Sequence, residues 1–160
     1  MKFLNRCLFA LALSLFAATA AQAQLSDRKA LTLEAAMKIA AAAEAEATKN
    51  NWNVSIAIVD EGGHLVLLHK RDNTQYGSID ISIQKAQTAA GFKRATKVFE
   101  DAIAGGRTAI LGIEQVLPLE GGVPLVFNGQ IVGAIGVSGV TSQQDGVIAK
   151  AGADALLGMQ

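Results

Sequence analysis

Glu120-Gly121-Gly122-Val123-Pro124-Leu125-Val126-Phe127-Asn128-Gly129-Gln130-Ile131-Val132-Gly133-Ala134-Ile135-Gly136-Val137-Ser138-Gly139 holds two β-rich runs around an Asn-Gly pair. Asn-Gly accepts the positive φ angles that a two-residue hairpin turn demands, so Val123 to Phe127 is expected to pair antiparallel with Gln130 to Val137. Beyond Gly139, Ser142 opens a helix with Asp145 in its first turn and Ile148, Ala151, Ala155 and Leu156 on one face. The chain passes from a glycine-interrupted strand to a helix N-terminus, where backbone comes close to a ligand or to another subunit.

Upstream, Thr32 caps a helix with Glu34 in its first turn, and Leu33, Ala36, Met37, Ala40 and Ala47 recur at helical spacing until Asn50-Asn51. Val54 to Asp60 and His64 to Lys70 are β-rich on either side of Glu61-Gly62-Gly63 and read as a second antiparallel hairpin. A helix beginning near Ser78 or Asp80 carries Ile79, Ile83, Ala86, Ala90 and Phe92 on its apolar side. Gly105-Gly106 breaks the chain, and the short apolar run Ala109 to Ile113 reads as one more strand. The expected order is helix, two strands, helix, three strands, helix: an α+β fold with a mostly antiparallel, five-stranded sheet and flanking helices. Ile56 to Val59 and Leu65 to Leu68 are continuously apolar, so neither face of that hairpin looks built for water. Either helices cover both faces of a monomer, or a partner subunit covers one of them.

Lys2 and Arg6, the apolar run Leu8 to Ala18 and the small-x-small pattern Ala21-Gln22-Ala23 read as a secretory signal peptide over residues 1–23. The run is too short for a spanning helix. Residues 24–160 form the expected single domain, periplasmic or secreted, with no membrane association in the mature form. Cys7 is the only cysteine, so the exported domain has no disulfide and relies on its core or on oligomerisation. Without Lys2 and Arg6, the balance of 14 basic and 14 acidic residues becomes about −2, with no long block of like charge. Nothing in that pattern fits a nucleic-acid partner.

Several ordered motifs resemble one known family: Val59-Asp60-x-Gly62-Gly63-His64-Leu65, Arg71-Asp72, Lys85-Ala86-x-Thr88-Ala89, Gly121-Gly122-x-Pro124, Gly133-Ala134-Ile135-Gly136-Val137-Ser138-Gly139 and Asp145. From about Leu31 onward the chain is similar to the GlcG/HbpS-like haem-binding family, also found as the C-terminal domain of PduO-type proteins. The resemblance implies a profilin-like sandwich, assembly into homo-oligomers, and binding of haem or a related tetrapyrrole.

The candidate residues follow from chemistry and from that resemblance together. His64 and His69 are five apart in one expected strand, so they point to opposite faces and cannot share a metal within one subunit. A neutral imidazole is a standard axial ligand of haem iron; His64, which also matches a position often occupied by histidine in the family, is the preferred metal contact. His69 reads as an edge histidine. Lys85 matches the family's lysine-alanine motif and is a candidate partner for a haem propionate or another small carboxylate, or for Asp60 or Asp145. Gly121 and Gly122 offer backbone donors to an anion, and Ser138 with Gly139 does so at a helix N-terminus. Asp145 reads as that helix's cap. Glu44 and Glu46 stand at i and i+2 and do not share a helix face.

Enzyme signatures are not met. Gly136-Val137-Ser138-Gly139-Val140 lacks the last glycine of a hydrolase elbow, Gly133-x-x-Gly136-x-x-Gly139 is neither a dinucleotide fingerprint nor a P-loop, and no cysteine nucleophile remains after export. Three functions stay open at this point: an exported haem-binding protein using His64, Lys85 and the glycine-rich loops; an enzyme or accessory factor acting on a small hydroxy- or oxo-acid held by Lys85 and Ser138; and an oligomeric scaffold with no dedicated ligand.

Overall fold

The computed structural model describes residues 27–159; the expected signal peptide, residues 1–23, lies outside them. Four helices and four strands follow in the order α1 (Leu33–Lys49), β1 (Ser55–Asp60), β2 (Leu65–Lys70), α2 (Ser78–Phe92), α3 (Lys97–Ala104), β3 (Gly122–Phe127), β4 (Gln130–Ser138) and α4 (Ser142–Ala155). All pairings are antiparallel and the sheet order is β2-β1-β4-β3. The two expected hairpins therefore form, and Asn128 and Gly129 adopt the positive φ values of 48° and 76° that their turn needs.

The sheet has four strands among the described residues, not five. Thr108–Gly112 is a 3-10 turn instead of a strand, with Ile110 buried and Leu111 exposed. Five residues bounded by Gly106 and Gly112 bury only one apolar side chain, too few to hold an extended edge strand in place. Just before it, α3 forms where no helix was expected. Phe99 is its one buried residue and packs edge-to-face on Phe92, with ring centroids 5.4 Å apart.

Alternation along β1 and β4 sorts the core into two layers. Ile56, Ile58, Ile135 and Val137 face α1 and α4 in the larger cluster. Val59 and Ala134 face Ala86, Ala89 and Ala90 of α2. Each buried Ile or Val contributes roughly 1.5–3 kcal/mol. The buried stripe of α1 is Ala36, Ile39, Ala40, Ala43 and Ala47, while Leu33 and Met37 stay exposed. Small residues decide that rotation. Gly152 of α4 sits so near α1 that a Cβ on it would lie 3.1 Å from Ala43 Cβ and from Ile39 O. On the other face, Gly136 lets the α2 backbone touch the sheet, since a Cβ there would strike Ser82 O and Ala86 N.

Helices thus lie on both faces of β1, β4 and β3. Edge strand β2 is covered on one side only. Val66 and Leu67 pack into the larger cluster, whereas Leu65 and Leu68, opposite Val59 and Ala57 on the α2 side, are 48% and 38% exposed.

Candidate functional site

The expected site residues fall in two places. Lys85, Gly121 and Gly122 meet in the interior beside Ser138 and Gly139, and His64 stands apart on the surface.

Lys85 is 1% exposed, yet its ammonium is satisfied: Nζ donates to Asp145 Oδ2 at 2.8 Å and to the Val137 carbonyl at 3.0 Å. One side chain of α2 is thereby tied to β4 and to α4. Asp145 also accepts from the Val140 amide at 3.2 Å and from the Gly139 amide. Burial, the largest influence, raises the Asp145 carboxyl above its ordinary value, opposed by the hydrogen bond and charge of Lys85 and by the two amides. The helix cap itself is Thr141, whose hydroxyl accepts from Gln144 N while Gln144 Oε1 accepts from Thr141 N. Asp145 is thus a partner of Lys85 that also gathers the amides leading into α4.

The glycine pair serves this same centre. A Cβ on Gly121, at φ +126°, would lie 2.7 Å from Val137 O and 2.8 Å from Lys85 Nζ. Val137 N donates to Gly121 O at 2.9 Å, and Gly122 N donates to Thr96 Oγ1 at 2.9 Å. Both glycines are buried and packed against protein. Ser138, 6% exposed, pairs with Ser55 across the sheet. The anion that the Gly139 turn receives in this arrangement is the chain's own Asp145 carboxylate, and an external carboxylate would have to displace it to reach Lys85. The sequence offered Asp145, beside Asp60, as a possible partner of Lys85, and the fold brings Asp145 to it across 60 residues. Thr96, which carries no motif, gave no sequence signal.

His64 ends the turn between β1 and β2, its side chain 84% exposed. Asp60 Oδ1 accepts from the Gly62 and His64 amides, both at 2.9 Å, and lies 3.3 Å from His64 Nδ1. Those contacts, the His64 amide foremost, hold the Asp60 carboxyl below its ordinary value, so it is charged at neutral pH. Gly62 makes room for the ring, because a Cβ there would be 2.9 Å from its Nδ1 and Cε1; Gly63 supplies φ +82°. The Asp60-x-Gly62-Gly63-His64 spacing was the available signal for Asp60, which the sequence offered only as a possible partner of Lys85. His69 lies at the strand edge, its Nε2 3.3 Å from Glu44 Oε1.

Beside the His64 turn opens a cleft of about 350 Å³ whose walls include Gly63, Gln84, Gln87, Phe92, Gln115 and Leu117. Gln87 Nε2 donates to Gly63 O at 3.2 Å. Thr88 fixes the far wall, donating to Gln115 O at 3.1 Å and accepting from Leu117 N at 3.0 Å. Across the same turn, Arg28, Lys29 and Lys93 line a second depression of about 400 Å³ together with the carboxylates Asp27 and Glu61. No group of three His, Cys, Asp or Glu among the described residues is placed to hold a bare metal ion. Likewise, no described helix is long and apolar enough to cross a membrane.

A four-stranded antiparallel sheet with helices on both faces, an exposed turn histidine and a lysine pinned beneath a glycine pair define the class. The chain belongs to the HbpS-like family, described as "Haem degrading protein HbpS-like", which it matches over residues 31–154. It is 48% identical over 108 residues to Protein GlcG of Escherichia coli K12, covering 68% of this chain and 81% of GlcG. Among solved structures it is similar to a double mutant of Streptomyces reticuli HbpS, with TM-score 0.76 and 35% identity over 86% of this chain and 94% of that one. It is also similar to PduOC in a complex with haem, with TM-score 0.72 and 26% identity over 79% and 95%.

Proposed function

We propose that this protein is exported, after cleavage near Ala23, to the periplasm or beyond, and there binds haem or a related tetrapyrrole through His64. The observation that carries the reading is the exposed imidazole with Nδ1 beside a charged carboxylate, directly after Gly62 and Gly63, which line a cleft with Phe92, Val116 and Leu117. Membership of the HbpS-like family and likeness to the PduOC–haem complex support it.

The residues present fit such a group. An imidazole nitrogen is a normal axial donor to haem iron, and Phe92, Val116 and Leu117 offer an apolar patch to a flat macrocycle among the polar Gln84, Gln87, Thr88, Glu114 and Gln115. When bound, the iron would supply a coordination centre for this histidine. Acidic side groups are assigned to Arg28, Lys29 and Lys93 across the turn instead of to the buried Lys85. An open cleft of about 350 Å³ lies at the small end of ligand sites, so a second subunit against the uncovered side of β2 is assigned the rest of the enclosure.

Haemin titrated into the mature protein tests this. A Soret band that grows to saturation in the wild type and is lost in His64→Ala is the expected outcome. No band in the wild type overturns haem binding, and an unchanged band in His64→Ala overturns the ligand assignment.

A further inference from the structure

We infer that Asp60 is a positioning residue for His64: it holds the ring with its proton on Nδ1, so that the Nε2 lone pair faces outward to a metal centre. The inference rests on the proposed haem contact and goes beyond it, since it concerns a state of the protein before any ligand arrives.

Three observations carry it. Asp60 Oδ1 is 3.3 Å from His64 Nδ1, the nearer approach of the ring to a carboxylate. The carboxylate is itself fixed, because the same oxygen accepts the Gly62 and His64 amides at 2.9 Å each, so it cannot swing away without opening the turn. The ring lies over Gly62, where a Cβ would meet Nδ1 and Cε1 at 2.9 Å, so the glycine at 62 leaves room for the ring beside Asp60. An imidazole has one proton to place when neutral, and a carboxylate facing Nδ1 draws it there. Metal-binding histidines are commonly oriented in this way, through a carboxylate on the nitrogen opposite the metal. Nε2 is then a lone pair on a side chain that is 84% exposed. His69 offers the contrast: its Nε2, not its Nδ1, is the nitrogen nearest a carboxylate, 3.3 Å from Glu44 Oε1.

The test reads the free protein first. Long-range nitrogen–proton spectra of the full mature chain, taken well above the ~6.5 pKa of free imidazole, report which ring nitrogen carries the proton. The expected result is the Nδ1–H form for His64 in the wild type and a shift toward the Nε2–H form in Asp60→Asn. That variant keeps an oxygen for the two amides and removes the charge. Haemin affinity is then expected to fall roughly 10–100-fold in Asp60→Asn. A wild-type His64 protonated on Nε2 overturns the inference without any variant, as does an unchanged tautomer in a folded Asp60→Asn protein. The two readings separate cleanly. The expected tautomers with no haemin binding would sink the haem reading while Asp60 keeps its positioning role. Haemin bound through His64 with tautomer and affinity indifferent to Asp60 would sink the positioning role alone.

Discussion

Lys85 is, among the described residues, the largest fully buried side chain, and it is charged. A buried ion pair is weak evidence of stabilisation because desolvation offsets its Coulomb attraction, yet losing one partner strands the other. Lys85→Met is therefore expected to destabilise the protein by about 3–5 kcal/mol in urea titrations at neutral pH. Adding Asp145→Asn, which keeps an acceptor for the Gly139 and Val140 amides, should recover most of that loss. The pH dependence has a definite sign. Burial already raises the Asp145 carboxyl and Lys85 is the chief influence lowering it, so removing Lys85 raises it further. A carboxyl whose folded value exceeds its unfolded one contributes stability below the unfolded value and loses it as pH rises through the folded one. The Lys85→Met deficit should be smallest below about 3.8 and widen as pH climbs, and a deficit that shrinks with rising pH would contradict the pairing. At this scale the sequence was readable where chemistry is local, as in Gly62-Gly63-His64. Where two charges meet only after the whole sheet has formed, as Lys85 and Asp145 do, it offered the partner among alternatives without deciding between them.

Among the elements, β4 is approached closely by α2 at one glycine. Gly136 lies under α2 so closely that a methyl group would drive Ser82 O and Ala86 N away from the sheet. Gly136→Ala should cost about 1–3 kcal/mol through overpacking, read as a lowered thermal midpoint. Gly91, near the end of α2 with open space around its Cβ direction, is the control: Gly91→Ala should stabilise by about 0.5–1 kcal/mol. Equal effects at the two positions would refute the close approach of α2. The same contrast explains which elements could be read in advance. Both hairpins announce themselves through turn residues, and α1 through Thr32, whose hydroxyl does accept from Ala35 N at 3.1 Å. α3 hid because eight residues with one buried side chain leave little periodic signal. Ala109 to Ile113 misled because an apolar run specifies a strand only if a sheet edge awaits it. Here the run joins neither edge strand, β2 nor β3, and closes as a 3-10 turn with only Ile110 buried.

Those two edges are not alike at the scale of the molecule. β3 carries Pro124, which has no amide to offer an incoming strand, a common guard against edge pairing. β2 has no proline, and Leu65 and Leu68 project from it on the side that α2 leaves bare. Tyr76, 87% exposed, lies near the same edge with the Lys70 ammonium 5.8 Å from its ring centre. An uncovered apolar edge of this kind is a template for association, and residues 24–160, which contain no cysteine, cannot add stability through a disulfide. The protein is accordingly expected to run as a homo-oligomer in light scattering coupled to size exclusion. Leu65→Ser with Leu68→Lys should lower the mass while leaving far-ultraviolet dichroism intact, since neither side chain belongs to the buried clusters. The His64 turn leads directly into Leu65, so the same pair of substitutions should also weaken haemin binding if a neighbouring subunit completes the cleft. An unchanged mass would remove β2 as the interface. A lowered mass with full haemin affinity would instead leave each subunit with a complete site of its own.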